Sequence, residues 1–313
     1  MNGMELARKY YETFGAPMIH EQFPDLEEII AVGLSGSGSE CYGFDDAVSR
    51  DHDFEPGFCL FLPGEEILDR RTAFQLERAY AKLPAEFEGF RRSRLAPVGG
   101  NRHGVIRMDD FFREKIGCVP EQMDMERWLT LPQSALAEAV NGEIFRDDAE
   151  QMTDARRLLR QMPADARKKR LAGHMLMMAQ SGQYNFRRCI LHGETGAAQL
   201  AACEFARHAM AAWFLLEGDY MPYYKWCFRA LRRLKEGERL SDGLERLIST
   251  GNGPKEAEEK ADRIEAIAGL VIEELEKREW TKATCGDLEK HAYSVNDGIQ
   301  DGNIRNLNIL TCV

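Results

Sequence analysis

"GLSGSGSECYGFDDAVSRDHDF", residues 33–54, is the stretch on which the reading of this chain turns. It follows "IIAVGL" (29–34), a short apolar run rich in β-branched residues, as a buried strand is. A strand that delivers the chain into Gly36, Ser37, Gly38 and Ser39 is followed by side chains small enough for a tight turn. The backbone N–H groups of such a turn can face an anion, and Ser37 or Ser39 can add a hydroxyl donor to the same oxygens. Asp51 and Asp53 come next, two apart, so that on a strand both carboxylates share one face. Two ionised carboxylates at that spacing call for a cation between them. Mg²⁺ prefers oxygen ligands and suits one or two carboxylates together with triphosphate oxygens. A phosphate-holding loop ahead of an acidic metal pair implies transfer of a phosphorus-containing group. His52, between the two acids, projects to the opposite face and is expected to pack rather than ligate.

The composition sets the frame for that chemistry. The chain has 313 residues, 44% hydrophobic and 30% charged, enough for one large or two ordinary globular domains. A formal net charge of -11 argues against general nucleic-acid affinity, which needs phosphate-neutralising Lys and Arg. No apolar run approaches the ~20 residues of a membrane-spanning helix. The start, "MNGMELARKYYETFG", is charged and helix-like and has no secretory pattern. Eight cysteines without a C-x-x-C pair indicate neither zinc nor a disulfide framework, and point to reduced thiols in a cytoplasmic protein.

Two halves differ in pattern. Between residues 29 and 116 strands and helices alternate: strand candidates at 29–34, 52–62 and 103–108, and helical spacing at 71–83 and in "DDFFREKIG" (109–117), with Gly117 as its C-terminal cap. From about 130 the chain reads as helices almost throughout, at 132–140, 153–162, 164–182, 197–218, 222–237 and, after the break "GNGP" (251–254), at 255–280. The expected architecture is α+β: a domain over 1–125 with a mixed sheet, then a helical bundle over 126–313.

An apolar strand, then G-S-x3-G (Gly38, Ser39, Gly43), then D-x-D about a dozen residues after the serine, resembles the signature of the nucleotidyltransferase superfamily with a polymerase-β-like catalytic domain. The resemblance implies that Gly36–Ser39 hold the phosphates of ATP or another NTP, and that Asp51 and Asp53 bind the catalytic Mg²⁺. It also implies a third acid on a later strand. There "HGVIRM" offers Ile106 and Arg107, with Asp109 and Asp110 just beyond. Asp109 is the candidate to take the proton of the attacking hydroxyl, with helix N-capping as its structural alternative. Acids of the helical half, Glu194, Glu204, Glu217 and Asp219, are open alternatives. Asp45 and Asp46 in "GFDD" are expected to cap or to stay solvated.

"GQYNFRR" (182–188) and "YMPYYKW" (220–226) are unusual for packing helices, since Tyr and Trp join apolar bodies to polar tips. Lys225 can act as a point charge on a triphosphate. Together these segments resemble the helical domain of the kanamycin and aminoglycoside nucleotidyltransferase type, and the chain over about 5–235 resembles a bacterial group of unassigned function. The resemblance implies a Mg²⁺-dependent enzyme that moves a nucleoside monophosphate, AMP from ATP in the first instance, to a hydroxyl of an aminoglycoside or other sugar-like acceptor. Two rivals stand beside it. A nucleotide-binding regulator with weak chemistry follows if the third acid is absent. Arg187 and His192, spaced R-x4-H, fit a helical ribonuclease half of the toxin–antitoxin type.

Overall fold

The computed structural model describes residues 1–51, 54–92 and 103–313, with Arg50 and Asp51 by their backbone alone. The chain forms two compact units, Met1–Met123 with Ala135–Gln161, and Asp124–Ser134 with Met162–Val313.

The first unit is built on a sheet. In chain order its strands are β1 (Ala31–Leu34), β2 (Cys59–Leu62), β3 (Glu86–Phe87), β4 (Phe90–Arg91), β5 (Gly104–Arg107) and β6 (Glu143–Arg146). β3 and β4 form a two-stranded ribbon, and the other four lie in the order β5-β2-β1-β6. β1 is antiparallel to both β2 and β6, while β2 runs parallel to β5, so the sheet is mixed as expected. The expected strand at 52–62 begins only at Cys59. Pro56, which has no N–H to give a ladder, stands just ahead of it. β6 lies where the sequence pattern indicates helices. Its four residues are too few to show a period of two between helical segments, and pairing with β1 fixes it.

An aromatic core backs this sheet. The helix Gly3–Tyr10 opens with a capping box in which Glu5 N–H donates to Asn2 Oδ1 (2.8 Å) and Asn2 N–H to Glu5 Oε2 (3.0 Å). It buries Leu6, Ala7 and Tyr10. Tyr10 packs on Phe58 at 5.9 Å between ring centroids, and Phe58 on Tyr80 at 5.0 Å. The buried hydroxyls are satisfied: Tyr10 donates to the Pro84 carbonyl (2.6 Å), and Tyr80 donates to the Phe58 carbonyl (2.9 Å) while accepting from its N–H (3.0 Å). Such paired hydroxyls let large rings fill the interior without stranded donors.

The second unit is helical. Its longer helices are Ala164–Met178, Thr195–Glu217, Gly237–Ser249, Pro254–Lys277 and Leu288–Asp297. The helix expected over 164–182 widens at Ala179 into a π-helical stretch, Ala179–Phe186, which holds the G-Q-Y-N residues. Buried cations tie the bundle. Lys169 Nζ donates to Asn296 Oδ1 (2.8 Å) and the Leu307 carbonyl (2.6 Å), and Lys260 Nζ to Gln199 Oε1 (2.6 Å) and Asn252 Oδ1 (2.8 Å). Among the described residues, no helix is long and apolar enough to cross a membrane. None of the eight cysteines is in a disulfide.

A polar contact crosses the apolar seam between Ala164–Met178 and Thr195–Glu217. His174 Nδ1 lies 2.8 Å from His208 Nδ1, so the two rings cannot both be cations without two hydrogens in that gap. His208 Nε2 faces Glu204 Oε1 at 3.1 Å, with Arg207 beside it, and Arg170 adds positive charge near His174. Burial holds His174 well below the ordinary 6.5 and lowers His208 too, since the Glu204 carboxylate only partly opposes the loss of solvent. Below the ordinary value the unfolded chain therefore binds more protons than the folded one. The stabilisation from neutral histidines is complete above 6.5 and is lost as pH falls beneath it. The melting temperature should fall between about pH 7.5 and about pH 5.5, and a His174→Gln/His208→Gln double variant should flatten that slope. A wild-type melting temperature indifferent to pH over this range would contradict the account.

Candidate functional site

The glycine–serine segment leaves the end of β1 and is held in place by a second segment about a hundred residues away in the same unit. Asn141 grips Gly36 from both sides of its peptide: Gly36 N–H donates to Asn141 Oδ1 (2.9 Å), and Asn141 Nδ2 donates to the Gly36 carbonyl (2.7 Å). The Ser35 hydroxyl donates to the Asn141 carbonyl (2.9 Å), and Gly142 N–H donates to the Cys41 carbonyl (2.8 Å). Arg156 in turn donates to the carbonyls of Val140 and Asn141, both at 2.6 Å, so the clamp is itself pinned. Gly36 sits at φ +128, a conformation that L side chains rarely adopt. Beyond it, Ser39 leads into the 3-10 turn Glu40–Tyr42, which Gly43 closes in the left-handed region at φ 62.

This geometry leaves three donors unused. Among the described residues, the backbone N–H groups of Ser37, Gly38 and Ser39 donate to no acceptor. Two charged side chains flank them. The Lys115 ammonium, on the helix Met108–Ile116, would lie 3.9 Å from a β-carbon placed on Gly36. It stands 3.4 Å from Glu138 Oε2 and 3.2 Å from Glu114 Oε1, with its side chain 14% exposed. The Glu40 carboxylate folds back onto Gly38 so closely that a β-carbon there would overlap it, and Ser39 Oγ reaches Glu40 Oε2 at 3.5 Å. Gly38 is thus a position where only a glycine admits an acidic group against the backbone.

Of the acids singled out in the sequence, Asp45 and Asp46 hold structure. Asp45 Oδ2 accepts from Gly3 N–H (2.6 Å) at the start of the first helix, and Asp46 Oδ1 accepts from Val48 N–H (3.0 Å) and Ser49 N–H (3.2 Å). Asp51 ends the 3-10 turn Val48–Asp51, ahead of the strand rather than on it, and its side chain, like His52 and Asp53, lies outside the described residues. Asp109 and Asp110 occupy the first turn of Met108–Ile116, yet neither is its N-cap, which is Arg107. Both pair with Arg113, at 2.9 Å from Asp109 and 3.4 Å from Asp110, and both are solvated.

In the helical unit, Lys225 is exposed, with its ammonium 4.9 Å from the centre of the Trp226 ring, beside a contact between the rings of Tyr223 and Tyr224 at 4.2 Å. Gln183 is a fully used clamp: its amide donates to Glu265 Oε2 (2.7 Å) and the Gly286 carbonyl (2.8 Å), and its oxygen accepts from Leu288 N–H (2.9 Å). It borders a cavity of about 650 Å³ lined also by Tyr184, Asn185, Asp287 and Glu289. Arg187 is solvated and faces Glu258 at 3.7 Å and Asp262 at 3.8 Å, while His192 caps the short helix Arg187–Leu191.

Asn141 and Lys115 were not among the residues indicated by sequence. "NG" at 141–142 does carry a turn signature, whereas Lys115 reads only as a last-turn cation that complements a helix dipole.

A family model described as a domain of unknown function (DUF4037) matches residues 128–227. That span takes in both aromatic segments of the helical unit and excludes the glycine–serine loop. Among solved structures, the chain is similar to a nucleotidyltransferase-like protein from Exiguobacterium sibiricum 255-15, with 13% identity over 93% of this chain and 90% of that one, at a TM-score of 0.35. No curated protein matches.

Proposed function

We propose that this protein is a nucleotidyltransferase, moving a nucleoside monophosphate, AMP from ATP in the first instance, to a hydroxyl of a small acceptor such as an aminoglycoside or another sugar-like molecule. The observation that carries this reading is the clamped loop: three adjacent backbone N–H groups with no acceptor among the described residues, followed twelve residues after Ser39 by the D-x-D pair. N–H groups fixed before the ligand arrives can stabilise charge that grows on phosphate oxygens without reorganising at the moment of reaction.

In the reaction, the acceptor oxygen forms a bond to the α-phosphorus while the bond from that phosphorus to the bridging oxygen breaks, and pyrophosphate leaves. Ser37, Gly38 and Ser39 hold the phosphate oxygens. Asp109 is proposed to take the hydroxyl proton, which requires it to exchange its Arg113 partner for the acceptor. Asp51 and Asp53 would supply the hard-oxygen donors that Mg²⁺ favours, and a bound ion would neutralise triphosphate charge.

Incubating the full chain with Mg²⁺, ATP labelled at its α-phosphate and a panel of aminoglycosides and sugars should transfer label to one acceptor with equimolar release of pyrophosphate. Binding of ATP with no pyrophosphate release from any acceptor would replace the reading by a nucleotide-binding regulator. Ribonuclease activity lost in His192→Ala would replace it by the toxin–antitoxin alternative.

A further inference from the structure

We propose that Lys115 is the cationic arm of the phosphate cradle, an assignment that rests on the nucleotidyltransferase reading above. Three observations converge on it. Its ammonium reaches the loop at Gly36, next to the three unused N–H groups of Ser37, Gly38 and Ser39. A cation beside donors that share a turn favours an anion between them.

Lys115 is also largely withdrawn from water, at 14% exposure, although lysines ordinarily keep their heads solvated. Its carboxylate partners at 3.2 and 3.4 Å offset that burial without the short contacts of a committed ion pair, and Glu114, at 61% exposure, is free to give way to a stronger anion.

The third observation is that the loop already accommodates negative charge. The Glu40 carboxylate lies against Gly38, where a phosphate oxygen would sit. A triphosphate entering the cradle displaces that carboxylate and gains Lys115 in return. A lysine suits this task because its three donors rotate to follow a phosphate, unlike the fixed fork of an arginine.

The test measures dissociation constants of the full chain for ATP, inorganic tripolyphosphate and adenosine, in wild type, Lys115→Met, Lys115→Gln and Lys115→Arg, with melting temperatures alongside. The neutral variants should bind ATP and tripolyphosphate about tenfold more weakly or worse, as expected for a lost charged hydrogen bond. Their adenosine affinity should stay unchanged, and Lys115→Arg should recover part of the phosphate affinity. If wild type binds ATP and the neutral variants bind it equally well, the Lys115 assignment falls while the transfer reading stands. An equal loss for ATP and adenosine would mark Lys115 as merely structural and overturn the assignment. A wild type that binds neither ATP nor tripolyphosphate would remove both.

Discussion

Asp51→Asn and Asp53→Asn are each expected to lower nucleotidyl transfer by on the order of a thousandfold or more while the protein stays folded. Asparagine keeps the size of aspartate and removes its charge, so the substitution tests electrostatics and leaves packing alone. A triphosphate brings several negative charges to the loop, and three backbone N–H groups and one lysine do not balance them. The carboxylate pair is the remaining device by which a divalent cation could be recruited to the same place. Fold should survive because the strand β2 begins downstream of both acids, at Cys59, and the substitution keeps the size of the side chain. Pyrophosphate release gives the rate, and melting temperature gives the control. The dependence of ATP affinity on Mg²⁺ gives a third readout: it should flatten in both variants even where no acceptor is present. Undiminished turnover in either variant would refute the metal assignment.

The parts of the fold that announce themselves in sequence are those with a local cause. Gly117 ends the helix Met108–Ile116 in the left-handed region (φ 75), a conformation that glycine adopts without cost, and a glycine after "DDFFREKI" says so. β1 and the long helices follow the apolar spacing of their own residues. What escapes the sequence is set by partners far along the chain. β6 exists because Glu143–Arg146 meets β1, and four residues between helices carry no period of their own. The π-helical widening at Ala179 likewise leaves no mark in the spacing that predicts a helix over 164–182.

The site divides in the same way. The loop's small residues are legible, but the clamp that holds it, Asn141 on Gly36, spans 105 positions. Lys115 is legible as a helix-end cation and not as a neighbour of Gly36, since that proximity depends on how the helix after β5 is packed, with Phe111 against Phe61 of β2. Asp45 and Asp46 belong with the legible parts: acids in such a run are expected to cap or stay solvated, and both accept from backbone N–H groups.

Gly142→Ala is expected to be the most damaging single-methyl change near the loop. Gly142 has φ +71, which costs an alanine roughly 1 kcal/mol on its own. The added carbon would also overlap the Leu34 carbonyl oxygen and lie 2.9 Å from Ser35 Cα. Both atoms belong to the backbone that carries β1 into Gly36, so neither can swing aside as a side chain would. Relief has two routes. Either β6 withdraws from β1 at the Leu34↔Glu143 pair, or Asn141 is drawn off Gly36, which frees the loop. The total should be about 3–5 kcal/mol, among the large values for a single substitution, and should appear as a clear fall in melting temperature. ATP affinity should fall with it at temperatures where the variant is still folded, because the three N–H groups lose their fixed direction. Gly89→Ala separates the two causes: it shares a positive φ (+82) but has no atom within 4 Å of the added carbon, so it should cost only about 1 kcal/mol and leave ATP binding intact. If Gly142→Ala melts with Gly89→Ala and binds ATP as wild type does, the segment 141–142 does not position the loop, and the clamp loses its role in phosphate binding.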